Sequence, residues 1–220
     1  MRRDIATQIA GCDVLLLADK ALYLPERKVL CIADAHFGKA AAFRAQGKPV
    51  PHGTTASNLL RLDALLASNP VRELVFLGDF LHAPQSHAAA TLAALRYWRH
   101  RNAALECTLV RGNHDLRAGD PPETLAIKVV NEPYLHEPFA LRHTPAVHCA
   151  QHVIAGHIHP VFQLRGMGRQ RLRLPCFHIT DKMTLLPSFG EFTGGHPVQV
   201  NPSSRTFVTD GRGIWPISPG

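Results

Sequence analysis

LECTLVRGNHD, residues 105–115, opens as a strand and ends as something else. Leu105 to Val110 is a short β-type run, and Arg111-Gly112-Asn113-His114-Asp115 closes it with turn chemistry and four polar side chains unsuited to a core. The same transition recurs outward in both directions. Ile32-Ala33 runs into Asp34-Ala35-His36, and Leu74 to Leu77 runs into Gly78-Asp79. Leu141-Arg142 leads to His143, and Val153 to Ala155 leads to Gly156-His157-Ile158-His159. In sheets flanked by helices, ligands bind in the crevice beyond the carboxyl ends of the strands. Five loops carrying carboxylates, imidazoles and an amide are therefore expected to converge there.

The segments between these strand ends set the architecture. Val14 to Leu17 and Lys28 to Ala33 read as strands, with the turn-like LPER between them. Thr54 to Ser68 places Leu59, Leu62, Leu65 and Leu66 at helical spacing, and Asn69-Pro70 stops it. Glu73 to Leu77 is a strand and the Ala-rich stretch Ser86 to Arg101 a helix. After Pro121-Pro122, strand patterns follow closely: Leu125 to Val130, Phe139 to Arg142, His152 to Ala155, Arg171 to Ile179 and Met183 to Leu186. GRGIWPISPG at the C-terminus reads as an irregular tail. A βαβα half followed by a strand-rich half predicts two sheets packed together and flanked by helices. With 220 residues and no long linker, the expectation is a single domain over 1–220.

Composition excludes several classes. A chain with 45% hydrophobic and 19% charged residues is not disordered. The net charge of +7 suits a polyanionic partner without requiring one. Cys12, Cys31, Cys107, Cys149 and Cys176 are scattered, odd in number and form no CxxC pair, which argues against a disulfide framework or a thiolate zinc site. The apolar run Val14 to Leu17 is too short for a membrane span and lies between Asp13 and Asp19. A cytoplasmic location is expected.

Each motif alone has a mundane explanation: an Asp capping a helix, a loop Gly-Asp, a half-buried histidine. His157 and His159, two apart on an extended strand, would face the same side. Together and in this order, DxH, GD, GNHD, a lone His and GHxH resemble the calcineurin-like metallophosphoesterase superfamily from Asp34 to His159. The resemblance implies an α/β fold, a four-layer αββα sandwich of two mixed β-sheets flanked by helices, with two divalent metal ions at the strand ends. Asp34, His36 and His159 would bind the first ion, and Asn113, His143 and His157 the second. Asp79 would bridge both, His114 would face the scissile phosphate, and Asp115 would orient His114. Two ions about 3.5–4 Å apart neutralise phosphate oxygens and lower the pKa of a bridging water. A donor set of oxygen and nitrogen without thiolate fits Mn2+, the family's common choice, with Fe or Zn as alternatives.

DAHFGK (34–39), GDFLH (78–82) and LPSFGEFTGG (186–195) narrow this further. They are similar to the bacterial ligase-associated DNA damage response endonucleases of the PdeM type. That resemblance implies a manganese-dependent phosphodiesterase acting on single-stranded DNA in DNA repair, associated with a repair ligase and helicase. Thr144-Pro145 after His143, and Ala35 between Asp34 and His36, depart from the pattern without touching a ligand. His82 matches a histidine that assists substrate binding. Arg165, Arg169, Arg171 and Arg173, together with Lys39, Arg44 and Arg117, are candidate backbone contacts. A phosphomonoesterase or cyclic-nucleotide phosphodiesterase using the same site is the alternative. A catalytically dead scaffold is disfavoured because His114 and every ligand position are intact.

Overall fold

The computed structural model describes residues 3–50, 53–166, 170–191 and 193–218. The first sheet runs in chain order: β1 (Ile5–Ile9), β2 (Cys12–Leu17), β3 (Ala21–Leu24), β4 (Val29–Ala33), β5 (Glu73–Leu77), β6 (Glu106–Val110) and β7 (Lys128–Val130). β1 to β4 pair antiparallel through short turns. β4 to β7 pair parallel, which demands crossovers. The chain supplies them as α1 (Lys39–Ala45) and α2 (Thr54–Ser68), then α3 (Ala89–Arg101), then α4 (Asn113–Ala118).

The second sheet comes almost wholly from the later half. Its order is β14 (His196–Pro197), β11 (Pro160–Arg165), β12 (Arg171–Ile179), β13 (Met183–Leu185), β10 (His152–Ala155), β9 (Phe139–Arg142) and β8 (Tyr134–His136). β15 (Arg205–Thr209) pairs with β12, and β16 (Ile214–Ile217) pairs with β15.

Register is what positions the site. Ala33 pairs with Leu77 and Leu77 with Val110, so β4, β5 and β6 end level. In the second sheet Ala155 pairs with both Arg142 and Leu185. The residues that follow these strand ends therefore leave at common heights: Asp34, Gly78-Asp79 and Arg111-Gly112 from one sheet, His143 and Gly156 from the other.

Two apolar cores hold this arrangement. Between the sheets lie Val14, Leu16, Cys31, Val75, Leu77 and Val110 against Phe139, Leu141, Ile154 and Phe177. On the outer face of the first sheet, Leu59, Leu62 and Leu65 of α2 and Leu95 and Trp98 of α3 cover Leu30, Ile32, Leu74 and Phe76. Truncating fully buried Leu62 to Ala should cost about 2–5 kcal/mol. The outer face of the second sheet bears a smaller cluster around Ala140, Val153 and Leu185. The layered α/β sandwich of two mixed sheets is thus the fold, and the four α-helices of the described residues all come from the first 118 positions.

Local readings need three corrections. The helix expected from Ser86 begins at Ala89, because Pro84–His87 forms a 3-10 turn in which Ser86 Oγ accepts the Ala83 N–H. The strand expected from Leu125 begins at Lys128, after a 3-10 turn and a left-handed Ala126. The C-terminal stretch is no irregular tail: Ile214–Ile217 is a strand, with Pro216 tolerated because β16 is an edge.

Candidate metal centre

Nine described non-glycine residues have positive φ, and five of them are Asp34, His36, Asp79, His157 and His159. The left-handed region costs an ordinary L-residue roughly 1–2 kcal/mol. Such strain persists only where surrounding structure enforces it, and it gathers at functional sites. Here the enforcement is visible. The His36 N–H donates to the Asp79 carbonyl at 2.8 Å, and the His157 N–H donates to the Asp34 carboxylate at 3.0 Å. Gly78 has φ +74°, and a Cβ there would lie 2.1 Å from His143 Nδ1.

One group of donors surrounds His143, which is buried. Its Nδ1 lies 3.1 Å from the Leu77 carbonyl, an oxygen that can only accept, so Nδ1 carries the hydrogen. Nε2 is then a bare lone pair. It faces Asn113 Oδ1 at 2.9 Å, His157 Nδ1 at 2.9 Å and Asp79 Oδ1 at 3.5 Å. Nitrogen and oxygen donor atoms converging at this range around one bare lone pair are what a cation satisfies. Burial, followed by the charge of His143, lowers the His157 pKa and keeps that ring in its ligating form.

A second group shares Asp79. Asp79 Oδ2 lies 3.7 Å from His36 Nε2, and Asp34 Oδ1 lies 3.5 Å from His159 Nε2. Both Nε2 atoms are buried without a hydrogen-bond partner. A buried orphan acceptor is costly, and a metal ligand is the satisfied form of the same atom. Burial pushes the His36 pKa well below its ordinary value, and burial raises that of the Asp79 carboxyl. The side chains of Asp34, His36 and His159 could hold one ion and those of Asp34, Asp79 and His143 another, each trio offering atoms within 4.8 Å of one another. The residues present fit two divalent ions.

His157 and His159 do not face one side. Both stand in left-handed conformation after β10 rather than on a strand, and Ile158 turns back to bond the Gly156 carbonyl. One imidazole joins His143 and the other approaches Asp34.

His114 stands between the groups, its Nε2 3.9 Å from Asp79 Oδ2 and its side chain 30% exposed. Its Nδ1 donates to the His82 carbonyl at 2.6 Å, which leaves Nε2 facing the site. Asp115 does not hold this ring. Its buried carboxylate accepts the N–H groups of Phe80 and Leu81 through Oδ1 and of Gly112 through Oδ2, tying two loops together. Burial raises its pKa to about 6. The His82 ring stacks on that of His114 at 4.9 Å, and its Nδ1 approaches His36 Nδ1 at 3.3 Å. Burial, with Lys39 next in effect, lowers its pKa to about 4, so it stays neutral. His36, His82 and His114 form a third trio of converging donors.

Within the stretch Leu186 to Gly195, Ser188, Phe189 and Gly190 form a clamp. Ser188 Oγ and the Gly190 N–H both donate to the Asp34 carbonyl, and buried Phe189 stacks under Arg61, whose guanidinium also bonds the Phe189 carbonyl. Sequence reading missed Phe43, which packs edge-on to His82 with Lys39 and Lys48 over its ring; a half-apolar helix gave no signal of that neighbour. Arg169 and the Arg165 side chain lie outside the described residues, while Arg171 and Arg173 are exposed on β12. Arg117 is exposed on α4.

The family model described as calcineurin-like phosphoesterase matches residues 27–178. Among solved structures, the chain is similar to the Pseudomonas putida nuclease MPE, with 48% identity over 98% of this chain and 100% of that one, at a TM-score of 0.88. A protein of unknown function from Aquifex aeolicus shares 21% identity over 64% of this chain and 82% of its own, TM-score 0.41. Yfce, a phosphoesterase from E. coli, shares 17% over 83% and 87%, TM-score 0.38. Among curated proteins no sequence matches this chain.

Proposed function

The chain belongs to the calcineurin-like phosphoesterase family, hydrolases of phosphoester bonds, and we propose that it is a dinuclear phosphodiesterase that cuts single-stranded DNA internally during repair. The observation that carries this reading is the Asp79 carboxylate, whose Oδ1 belongs to the His143 group and whose Oδ2 belongs to the His36 group. Two cations held close need an anion between them, and Asp79 would be that anion. Asp34, His36 and His159 would hold one ion, and Asn113, His143 and His157 the other. Bound there, the ions would neutralise phosphate oxygens and supply a water of lowered pKa. Mn2+ suits the mixed oxygen and nitrogen donors, with Fe or Zn as alternatives.

The protein's own residues complete the chemistry. Because the His82 carbonyl holds His114 Nδ1–H, Nε2 is the atom that faces the leaving oxygen; the imidazolium form would give up its Nε2 proton there and be left as the neutral Nδ1–H ring. Asp115 serves by fixing the loops that carry Asp79 and His114. His82, neutral and stacked on His114, borders the substrate. The nuclease likeness and the +7 charge support a polynucleotide over a small ester. We assign the whole chain to one catalytic unit in the cytoplasm, working alongside a repair ligase and helicase. Among the described residues no helix is long and apolar enough to cross a membrane.

Incubation with circular single-stranded DNA and Mn2+ tests the reading. A circle has no ends, so linear product requires internal cleavage, and a chelator should abolish it. Strong hydrolysis of cyclic nucleotides or monoesters with the circle left intact would transfer the assignment to a small-molecule phosphoesterase.

A further inference from the structure

A cavity of about 360 Å³ adjoins the metal centre, and His159 lines it. Its volume is in the range of ligand pockets, about 300–1,000 Å³. Pro160, Val161 and Pro175 give it an apolar wall, and the turn between β2 and β3 contributes Lys20. That turn is fixed: Lys20 has φ +68° and its N–H donates to the Leu17 carbonyl at 2.9 Å. The facing strip includes Ser188 and Gly190, the residues that clamp the Asp34 backbone, so the cavity is rigidly indexed to the metal ligands.

Lys20 is a cation without a bonded counter-charge. Among the described residues its ammonium makes no hydrogen bond or ion pair, although Glu191 and Asp19 attract it at longer range and Arg61 repels it. Burial lowers its pKa to about 8, which leaves it charged at neutral pH. A partly desolvated ammonium beside an apolar wall suits a ligand that is anionic at one end and apolar at the other.

We propose that this cavity receives the nucleotide next to the scissile phosphate, with Lys20 on the adjoining phosphodiester and the Pro160, Val161 and Pro175 wall against its sugar and base. The inference rests on the phosphodiesterase reading above and names where its polymer is held. Glu191, also on the lining, opposes an incoming phosphate and limits affinity.

The test compares a single-stranded oligonucleotide with bis(p-nitrophenyl) phosphate, which has no adjoining nucleotide. Lys20→Ala should raise the oligonucleotide KM about tenfold with kcat little changed, so the ratio of kcat/KM values for the two substrates falls about tenfold. The log–log salt slope for binding a phosphorothioate oligonucleotide should shrink by about 0.7, the value of one phosphate contact on a single strand. Lys20→Arg should restore both, and Glu191→Gln should lower the oligonucleotide KM. Equal losses on both substrates, or an unchanged salt slope, would overturn the inference and leave Lys20 a packing residue. Failure of the reading beneath it has a separate signature: the unmodified protein would hydrolyse the small diester yet neither bind nor cut the oligonucleotide, and the cavity assignment would fall with it.

Discussion

The two donor groups share Asp79 but are built differently. Around His143, the ring is locked: the Leu77 carbonyl holds Nδ1 and the Glu132 carboxylate accepts the backbone N–H at 2.9 Å. Around His36 and His159, both Nε2 atoms are buried orphans, and the nearest hydrogen-bonding neighbour of His36 Nδ1 is another imidazole, His82. A ligand whose other nitrogen donates to a fixed carbonyl is oriented before metal arrives, and such outer partners are worth about 10–100-fold in affinity. The comparison therefore predicts one tightly held ion and one that exchanges more readily, with Asp79 coupling them.

The largest effect should come from the shared residue. Asp79→Ala removes a ligand from both groups and the acceptor of the His114 N–H, so metal analysis should find neither ion retained and hydrolysis should be nearly abolished. Retention of two ions would break the bridging assignment. Next comes His114→Ala, which should keep both ions and still lose roughly 10²–10⁴-fold in rate on DNA. A nitrophenolate leaving group needs less protonation, so the loss on such a substrate should be smaller; equal losses would replace proton donation with charge stabilisation.

Sharpening the contrast itself requires single-group variants. His36→Ala should retain close to one ion after dialysis against a mild chelator, whereas His143→Ala should retain less, because it destroys the better oriented group. The opposite order would invert the comparison.

The smallest effect lies outside both groups. His152, bonded to Thr184 Oγ1, and His178, bonded to Thr206 Oγ1, have pKa values lowered by burial. The unfolded chain then takes up protons below about pH 6.5 that the folded chain refuses. Their contribution is fully present above that pH and is lost as pH falls toward the folded pKa values. Urea midpoints of metal-free protein should drop between pH 7 and pH 5, and less steeply in His152→Gln; an unchanged slope would assign the acid sensitivity to the metal ligands instead.

Much of this molecule is legible in its sequence. Apolar runs ending in Asp34, Asp79, Asn113, His143 and His157 mark strand ends, since carboxylates and imidazoles are excluded from a core unless something pairs them. The parallel order of β4, β5 and β6 follows from the intervening helical segments. Strand periodicity fails where contacts decide. Ile214–Ile217 looks like a tail because proline and glycine dominate its neighbourhood, yet pairing with β15 and burial of Ile214 make it a strand.

What only the tertiary structure decided is the division of labour among adjacent residues. His157 and His159 separate because left-handed backbone after β10 breaks the two-residue alternation that an extended strand would impose. Asp115, next to His114 in sequence, turns its carboxylate to the N–H groups of Phe80, Leu81 and Gly112, and the His82 carbonyl orients the ring instead. Local sequence sets which donors are available; the register of strands far apart in the chain sets which atoms they meet. Lone pairs can be counted in one dimension, but their directions exist only once both sheets are in contact.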